Sequence, residues 1–451
     1  MIKFVKILFV IVVMAAIFCF PSFGQNVLKA EKANKRPNVV IILADDQGNA
    51  DAGYQRIPAE VSTPAIDKLA AAGVVFTNGY ASAFVCAPTR AGLLTGRYQQ
   101  RFGFYTAADS RQGMPLTETT IAELLHKEGY STGVFGKWHL GLTKPFHPIS
   151  RGFDEFYGFL GHGAHDYFDL TCNENTDDFH QCIYRDYEMI NDTGYLTDNL
   201  AREACSFIKN QSKKENPFFL YLPFNAVHFP LQAPEADIKK FNTGNKDRDI
   251  MLAMLHRMDI AIGEVIKSLK DEGVYENTLI FYFSDNGGAK KVSANNLPFR
   301  DYKQSVYEGG LRVPFVISWP KILKPSVCDE PIISFDIFPT ICAALDIELP
   351  ANRIYDGKNV FPAIQGELKD PLHSELFWDG NNNKWAIRMG TWKLVSPRPA
   401  SFELYNLEDD QGEKNDLAKQ YPEKVDIMKE KYTKWRNEMA TPMGERKEIL
   451  E

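Results

Sequence analysis

Runs of consecutive apolar residues recur along the chain and alternate with segments of helical periodicity. The first run, residues 38–44, reads NVVIILA and is rich in β-branched residues, which is typical of a strand covered on both faces. Later runs of the same character occur at 132–135, 218–223, 278–283 and 314–318. Such runs with helices between them indicate an α/β fold with a mostly parallel sheet and helices on both faces.

Helix signals lie between these runs. Thr63 and Pro64 supply a cap and a proline for the first turn of a helix that stops at Gly73. Residues 118–128 predict a second helix. Residues 247–272 predict a third, with one apolar stripe at spacings of three and four: Met251, Leu255, Met258, Ile262, Ile266 and Leu269.

The pattern changes after about residue 365. From there on, the sequence predicts short strands at 385–388, 392–395 and 402–405, followed by a terminal helix at 422–439. We therefore expect a catalytic α/β domain over residues 30–365. A smaller subdomain of antiparallel sheet and helix should follow over residues 366–451.

The first 24 residues have the pattern of a secretory signal peptide. Lys3 and Lys6 form a basic start, residues 7–20 are an apolar run of 14 residues, and Ser22 and Gly24 offer small side chains at the −3 and −1 positions of a cleavage site. The run is too short for a comfortable membrane span. We expect an exported product, secreted or periplasmic, with no membrane attachment in its mature form.

Composition narrows the set of partners. The formal net charge is −7, and removal of the signal peptide takes away two lysines and no acid, which brings it to −9. No cluster of Lys and Arg of the kind that follows a phosphate backbone is present, so nucleic acid is not expected as a partner. Six cysteines remain after cleavage. Cys172 and Cys182 bracket a polar loop and are the best disulfide pair, while the other pairings stay open.

Four polar clusters follow predicted strands at their carboxyl ends: Asp45-Asp46, Lys137-Trp138-His139, His228 and Asp285-Asn286. Because the carboxyl ends of parallel strands share one edge, these residues should converge where ligands bind. A solvated turn is the alternative for any single cluster, but four equivalent positions favour a site.

The acidic clusters point to a metal ion. Asp45, Asp46, Asp285 and Asn286 supply only oxygen ligands, and three carboxylates held together would repel one another without a cation. Hard oxygen ligands favour Ca²⁺ or Mg²⁺ over zinc or copper.

Cys86 begins the segment Cys-Ala-Pro-Thr-Arg. Pro88 suits the first turn of a helix, so Cys86 should lie at a helix N-terminus, where free N–H groups favour an anion. Arg90 follows one turn later. A reactive cysteine is one interpretation, and an inert buried cysteine is the other.

Six segments together resemble the type I sulfatases. They are CAPTRAGLLTGR at 86–97, GKWHLG at 136–141, SDNG at 284–287, YEGG at 307–310, and GTWKL at 390–394 with LYNL at 404–407. The resemblance runs from about Pro37 to the 430s. It implies an alkaline-phosphatase-like fold, with the mostly parallel sheet sandwiched by helices.

The resemblance also implies a chemistry. A formylglycine-generating enzyme would oxidise Cys86 to formylglycine, whose aldehyde hydrates to a geminal diol. One hydroxyl attacks sulfur and the alcohol leaves; the second then loses its proton and expels sulfate. In this family pattern a Ca²⁺ ion, or Mg²⁺, is bound by Asp45, Asp46, residue 86, Asp285 and Asn286.

The remaining roles also follow from the resemblance. Arg90 should orient the diol, and Lys137 and Lys303 should hold the sulfate oxygens. His139 should take the proton from the second hydroxyl, and His228 should protonate the leaving alcohol. For Lys303 the alternative is an ordinary surface lysine, because lysines are mostly exposed.

The expected substrate is a sulfated carbohydrate. His162, His165 and Asp166 would line the pocket for the leaving group, and a merely structured loop is the alternative. Two other functions stay open. One is a formylglycine-dependent phosphodiesterase or phosphonate hydrolase that selects Mn²⁺ or Zn²⁺; the other is a non-catalytic glycan-binding protein in which Cys86 is never oxidised.

Overall fold

The apolar runs of the sequence become the centre of one large sheet. The computed structural model describes residues 36–161, 163–172, 181–380 and 384–445. The predicted signal peptide at 1–24 and His162 lie outside the described residues.

The strands of the described residues are, in chain order, Asn38–Ala44 (β1), Val74–Phe76 (β2), Gly79–Tyr80 (β3), Ser131–Lys137 (β4), Glu155–Phe159 (β5), Ile183–Arg185 (β6), Glu188–Ile190 (β7), Phe218–Pro223 (β8), Thr278–Ser284 (β9), Phe315–Ser318 (β10), Ser326–Cys328 (β11), Ile332–Ile333 (β12), Leu376–Asp379 (β13), Trp385–Met389 (β14), Trp392–Arg398 (β15) and Ser401–Asn406 (β16). The α-helices are Pro64–Ala71 (α1), Cys86–Thr95 (α2), Ile121–Lys127 (α3), Leu196–Gln211 (α4), Glu235–Ile238 (α5), Lys246–Asp271 (α6), Glu308–Leu311 (α7), Ile337–Ala344 (α8), Phe361–Ile364 (α9) and Pro422–Asn437 (α10).

Within the described residues, the main sheet has ten strands in the order β11-β2-β10-β9-β1-β8-β4-β5-β6-β7. Its five central strands, β9 to β5 in that order, are parallel. Antiparallel neighbours, β10 on one side and β6 on the other, flank this parallel centre. The prediction of a mostly parallel sheet is confirmed, with β10 running against its neighbour.

Successive residues of β1 face two different apolar cores. Val39, Ile41 and Leu43 belong to one core, and the alternate residues belong to the other, as the side-chain period of a strand requires. Helices α2, α3 and α8 pack on the first face, and α1, α4 and α6 on the second. The sheet is therefore sandwiched by helices, as predicted.

A second, antiparallel sheet of four strands, β13 to β16, follows towards the C-terminus and is accompanied by helix α10. This confirms a smaller antiparallel subdomain. Its apolar core also contains Tyr80, Phe84 and Tyr98 from the first quarter of the chain. The described residues from Pro37 onward form one compact unit, so the subdomain shares its core with the main sheet.

Cys172 and Cys182 form a disulfide, which confirms the predicted pair. The thiols of Cys86, Cys205, Cys328 and Cys342 are free. Among the described residues, no helix has the length and apolar character needed to cross a membrane.

Candidate active site

The polar clusters that follow the central strands meet at one edge of the main sheet. Asp45 follows β1, Lys137 ends β4, His228 comes after β8 and Asp285 follows β9. These four strands are neighbours in the sheet, and Asp45, Lys137 and Asp285 have no solvent exposure. The structure therefore brings together side chains that are up to 240 residues apart in sequence.

Helix α2 presents Cys86 to this edge. Cys86 is the first residue of the helix and is buried, and its sulfur lies 3.4 Å from His139 Nδ1. The helix packs closely because of Gly92, where a Cβ would lie 2.7 Å from both Gln99 Oε1 and Ser82 Oγ. A larger residue at position 92 would have to displace these two side chains.

Arg90 ties this helix to the strand ends. Its fully buried guanidinium donates to Asp285 Oδ2 through Nε and Nη2 at 3.0 and 2.8 Å. Nη2 also lies 3.4 Å from Asp45 Oδ2, and Nη1 donates to the carbonyl of Lys137 at 2.8 Å. Arg90 thus fixes α2 against three strand ends at once.

Several oxygens of this cluster have no protein donor. None of the described residues forms a hydrogen bond with the buried oxygens Asp45 Oδ1, Asp46 Oδ2 and Asn286 Oδ1, an arrangement that costs free energy unless another group satisfies them. Oxygen ligands of this kind suit Ca²⁺ or Mg²⁺. Asp45, Asp46 and His228 also offer one ligand atom each, all within 4.8 Å of one another. The residues present therefore fit a divalent cation, and His228 adds a nitrogen that the sequence did not predict as a ligand.

The two acids that bind Arg90 differ in their ease of ionisation. Burial acts to raise the pKa of Asp45, but the positive charges of Lys137 and Arg90 outweigh it and lower that pKa well below its usual range. Burial and the Asp45 carboxylate raise the pKa of Asp285 to about 6. A further positive charge at this edge would stabilise both carboxylates.

Two lysines complete the cluster. Lys137 Nζ contacts Asp45 Oδ2, and Lys303 Nζ lies 2.7 Å from Asp46 Oδ1. The side chain of Lys303 is only 13% exposed, so Lys303 is not an ordinary surface lysine. Burial opposes its charge, but Asp46 and then Cys86 raise the pKa of Lys303 above its usual range.

His139 faces Cys86 from an unusual backbone conformation. Its φ is 61° and that of Asp46 is 62°, a left-handed region that non-glycine residues rarely adopt and that is often found at functional sites. Burial, helped by Lys137 and Arg90, lowers the pKa of His139 well below its usual range. The neutral form of His139 is therefore favoured, with Nδ1 next to the Cys86 sulfur.

His228 lies beside Asp46 at the same edge. Its Nε2 is 3.6 Å from Asp46 Oδ2, and burial together with the charge of Lys303 lowers its pKa to about 4. A neutral His228 must gain a proton before it can donate one. The predicted role of His228 as the acid for the leaving alcohol therefore has no support from its pKa.

Comparison with known proteins decides the family. A family model described as Sulfatase matches residues 37–347, and one described as N-sulphoglucosamine sulphohydrolase, C-terminal, matches residues 299–438. The chain belongs to the sulfatase family. It is a sulfuric ester hydrolase, as the resemblance implied.

Relatives of this sulfatase include proteins from animals and bacteria. It is 33% identical to human N-acetylgalactosamine-6-sulfatase over 424 residues, which cover 84% of this chain and 79% of that protein. It is also 33% identical to an Escherichia coli (strain K12) protein named Uncharacterized sulfatase YdeN over 404 residues, 78% of this chain and 70% of that one.

Solved structures of relatives share its fold. The structure of Ps i-CgsB in complex with k-i-k-neocarrahexaose has a TM-score of 0.86 and 35% identity, covering 90% of this sulfatase and 94% of that chain. Phosphonate monoester hydrolase of Agrobacterium radiobacter has a TM-score of 0.67 at 21% identity, covering 89% and 96%. The second likeness shows the alkaline-phosphatase-like fold alone.

The residues predicted to bind the leaving group have structural contacts in this sulfatase. The ring nitrogens of His165 lie 2.6 and 2.8 Å from the carbonyl oxygens of Asp166 and Gln181. The Asp166 carboxylate accepts hydrogen bonds from the backbone of Phe168 and from the side chain of Gln232. Both residues shape their loop, and their contact with substrate stays a prediction.

The same loop does reach the candidate site through a residue that the sequence did not single out. A Cβ at Gly163, whose φ is +85°, would lie 3.0 Å from His139 Cε1. The sequence also did not predict a buried charged cluster formed by Glu308, Lys393 and Glu413. Glu308 lies in the motif Tyr-Glu-Gly-Gly, which carried the resemblance but suggested no chemistry.

Proposed function

We propose that this sulfatase releases sulfate from sulfated carbohydrates outside the cytoplasm, with a formylglycine made from Cys86 and a bound Ca²⁺ ion. One observation carries the proposal: buried oxygens without donors lie at the same sheet edge as Cys86, beside the ammonium groups of Lys137 and Lys303. Mg²⁺ would suit the same oxygens.

The proposed chemistry needs two further groups, a formylglycine at position 86 and a divalent cation. Formylglycine, when formed, offers a hydrated aldehyde as an oxygen nucleophile, and the divalent cation offers the positive charge that favours its ionised form. The side chains that would hold the cation together with residue 86 are Asp45, Asp46, Asp285 and Asn286. The donor-free oxygens of Asp45, Asp46 and Asn286 support this assignment.

Side chains of the protein would provide positioning, charge stabilisation and proton transfer. Arg90, held by Asp285, keeps the start of α2 in place. Lys137 and Lys303 supply positive charge for the sulfate oxygens, where water is excluded and each charge acts strongly. His139, neutral and next to residue 86, would accept the proton that must leave before sulfate is released. We also propose that His228 lies next to the leaving alcohol.

The carbohydrate class follows from relatives. The name of the human relative specifies a sulfated amino sugar, and Ps i-CgsB was solved with a neocarrahexaose. We infer a sulfated carbohydrate for this chain.

Export is proposed on two grounds. Residues 1–24 have the pattern of a signal peptide. The disulfide between Cys172 and Cys182 is of a kind that persists in oxidising compartments.

A formylglycine-generating enzyme is the partner needed for maturation.

The first test is the mass of the tryptic peptide of residues 69–90 from active protein. Formylglycine is lighter than cysteine, so we expect the lighter peptide in active material and no activity in Cys86→Ala. An active preparation in which residue 86 is wholly an unmodified thiol would overturn the proposal.

The same protein should be assayed on a matched aryl sulfate and aryl phosphodiester. We expect faster release of sulfate. A clear preference for the diester would support the phosphodiesterase instead, and glycan binding without turnover would support the non-catalytic alternative.

A further inference from the structure

Lys303 is held in a segment that has no helix or strand of its own. The segment, residues 294–307, joins the Asp285 side of the site to α7. Asp301 and Gln304 flank Lys303, and both have a φ of 70°. Non-glycine residues keep this conformation only where the surrounding structure fixes it. The position of Lys303 therefore depends on what holds this segment.

One side of the segment is held by the site itself. The Lys303 N–H donates to the carbonyl of Gly288 at 3.1 Å, and the Gln304 N–H donates to the carbonyl of Phe84 at 2.9 Å. Phe84 lies two residues before Cys86. These two bonds join the backbone of Lys303 to the loop after β9 and to the approach to α2.

The middle of the segment is hydrogen-bonded to the start of α7. The Gly309 N–H donates to the carbonyl of Arg300 at 2.8 Å. A Cβ at position 309 would lie 2.3 Å from the carbonyl oxygen of Asp301 and 2.4 Å from that of Arg300. The start of α7 therefore fixes the turn that carries Lys303.

The start of α7 is in turn fixed by the antiparallel sheet. Lys393, on β15, places Nζ 2.7 Å from Glu308 Oε1 and 3.0 Å from Glu413 Oε1. Glu413 Oε2 accepts the backbone N–H of Glu308 at 2.6 Å. All three side chains are fully buried. One ammonium group thus joins two carboxylates that meet at the first residue of α7.

The segment contacts the antiparallel sheet at two more points. Arg300 Nη1 donates to the Tyr405 hydroxyl and to the carbonyl of Glu413, each at 2.9 Å. The Tyr307 hydroxyl donates to Glu403 at 2.6 Å. The C-terminal sheet therefore holds the segment on both sides of Lys303.

A buried ion pair is weak evidence for stability, because desolvation offsets much of its attraction. Its clearest effect here is geometric, since it fixes two carboxylates and one backbone N–H relative to one another. We propose that Lys393 is a positioning residue of this sulfatase: through Glu308 and Glu413 it sets the place of Lys303, although it touches neither substrate nor reacting atoms. The inference rests on the proposed role of Lys303.

The test is a double-mutant cycle in the full-length enzyme with an aryl sulfate as substrate. Lys303→Ala and Lys393→Met are made singly and together, and kcat and KM are measured for each. We expect Lys393→Met alone to lower kcat/KM by roughly tenfold or more and to change nothing further in the Lys303→Ala background. Competitive inhibition by inorganic sulfate should weaken in the same non-additive way.

A matched control separates positioning from general loss of stability. Arg151 is also buried and donates to the carbonyls of Met114 and Glu118 at 3.0 and 2.6 Å, which places it away from the segment. Any loss caused by Arg151→Met should be equal in the presence and absence of Lys303. If Lys393→Met behaves in this additive way, the inference is wrong.

A second variant serves if Lys393→Met does not fold. The side chain of Arg300 is 41% exposed, so Arg300→Met should fold, and it should show the same dependence on Lys303. Additivity for this variant also overturns the inference. Full activity of Lys303→Ala would instead overturn the proposed role of Lys303, so the two failures can be told apart.

Discussion

Lys137 carries its charge to a position with no solvent exposure, where it contacts Asp45. A buried ammonium group is costly unless it is paired. The Asp45 carboxylate is the paired negative charge. A cation at the partner-free oxygens would compete for Asp45 and leave Lys137 free to bind a sulfate oxygen.

We therefore expect Lys137→Ala to lower kcat/KM by about 10²–10³-fold, the usual loss when one group that stabilises developing negative charge is removed. Lys144→Ala is the matched control, since Lys144 is exposed and lies over the ring of Tyr187. Steady-state kinetics on an aryl sulfate gives the comparison. Near wild-type efficiency in Lys137→Ala would contradict the assignment.

The donor-free oxygens make a separate prediction about stability. Ca²⁺ bound only by the folded state should raise the midpoint of thermal unfolding, because saturation at 100 times Kd adds about 2.7 kcal/mol. Chelation should reverse the shift, and Asp46→Asn should largely abolish it.

Asp271→Asn is the control for this experiment, since Asp271 is exposed and paired with Lys267 at the end of α6. It should keep the full response to Ca²⁺. A wild-type midpoint that Ca²⁺ and Mg²⁺ both leave unchanged would argue against a cation at this edge.

Among the elements, four of the five central strands (β1, β4, β8 and β9) were predicted to within two residues because their apolar runs are mostly continuous, whereas β5 was not predicted. The helix predicted at 118–128 begins instead at Ile121. The cause is a capping box, in which Thr120 Oγ1 accepts the Glu123 N–H at 3.0 Å and the Glu123 carboxylate accepts the Thr120 N–H at 2.7 Å. The direction of β10 could not be predicted, because the pairing of β10 with β9 leaves no mark in its own residues.

The stability of the folded protein should depend on pH through one short element. His147 precedes a 3₁₀ turn at Pro148–Arg151 and accepts the Ile149 N–H through Nδ1 at 3.3 Å. Burial lowers the pKa of His147 to about 4, whereas an unfolded histidine titrates near 6.5. The neutral ring therefore contributes stability above pH 6.5, and this contribution is lost as the pH falls from about 6.5 to about 4.

His147→Asn keeps a side-chain acceptor at the cap and removes the titrating ring. We expect the wild-type midpoint of thermal unfolding to lie well above that of the variant at pH 7.5 and to approach it by pH 4.5. His126→Asn is the control, because His126 is 55% exposed. A difference between wild type and His147→Asn that does not change with pH would refute this account.

At the scale of the whole molecule, net charge and local charge point in opposite directions. The chain has a formal charge of −7, yet the proposed substrate is an anion. Screening over roughly 8–10 Å makes distant acids unimportant, whereas Arg90, Lys137 and Lys303 lie within the cluster itself. We therefore expect local cations, and not the overall charge, to govern binding of a sulfate ester.

The parts of the site that could be predicted are those at strand ends, because topology alone brings Asp45, Lys137 and Asp285 to one edge. Lys303 was reached only through the family resemblance, since its segment is fixed by contacts with other parts of the chain. Lys393 could not be predicted at all. Its partner Glu308 is 85 residues away, and neither residue shows a pattern that indicates the pairing.

The core shared by the two sheets has a consequence for how this chain can be divided. Trp378, on β13, is fully buried and donates through Nε1 to the carbonyl of Ala81 at 2.9 Å. Tyr98 packs edge-on against Trp435 of α10, with ring centroids 5.1 Å apart. A gene fragment that stops before β13 would encode a protein whose aromatic surface around Tyr98 is exposed to solvent. Recombination between relatives should therefore exchange the C-terminal sheet only together with the residues of the main sheet region that contact it.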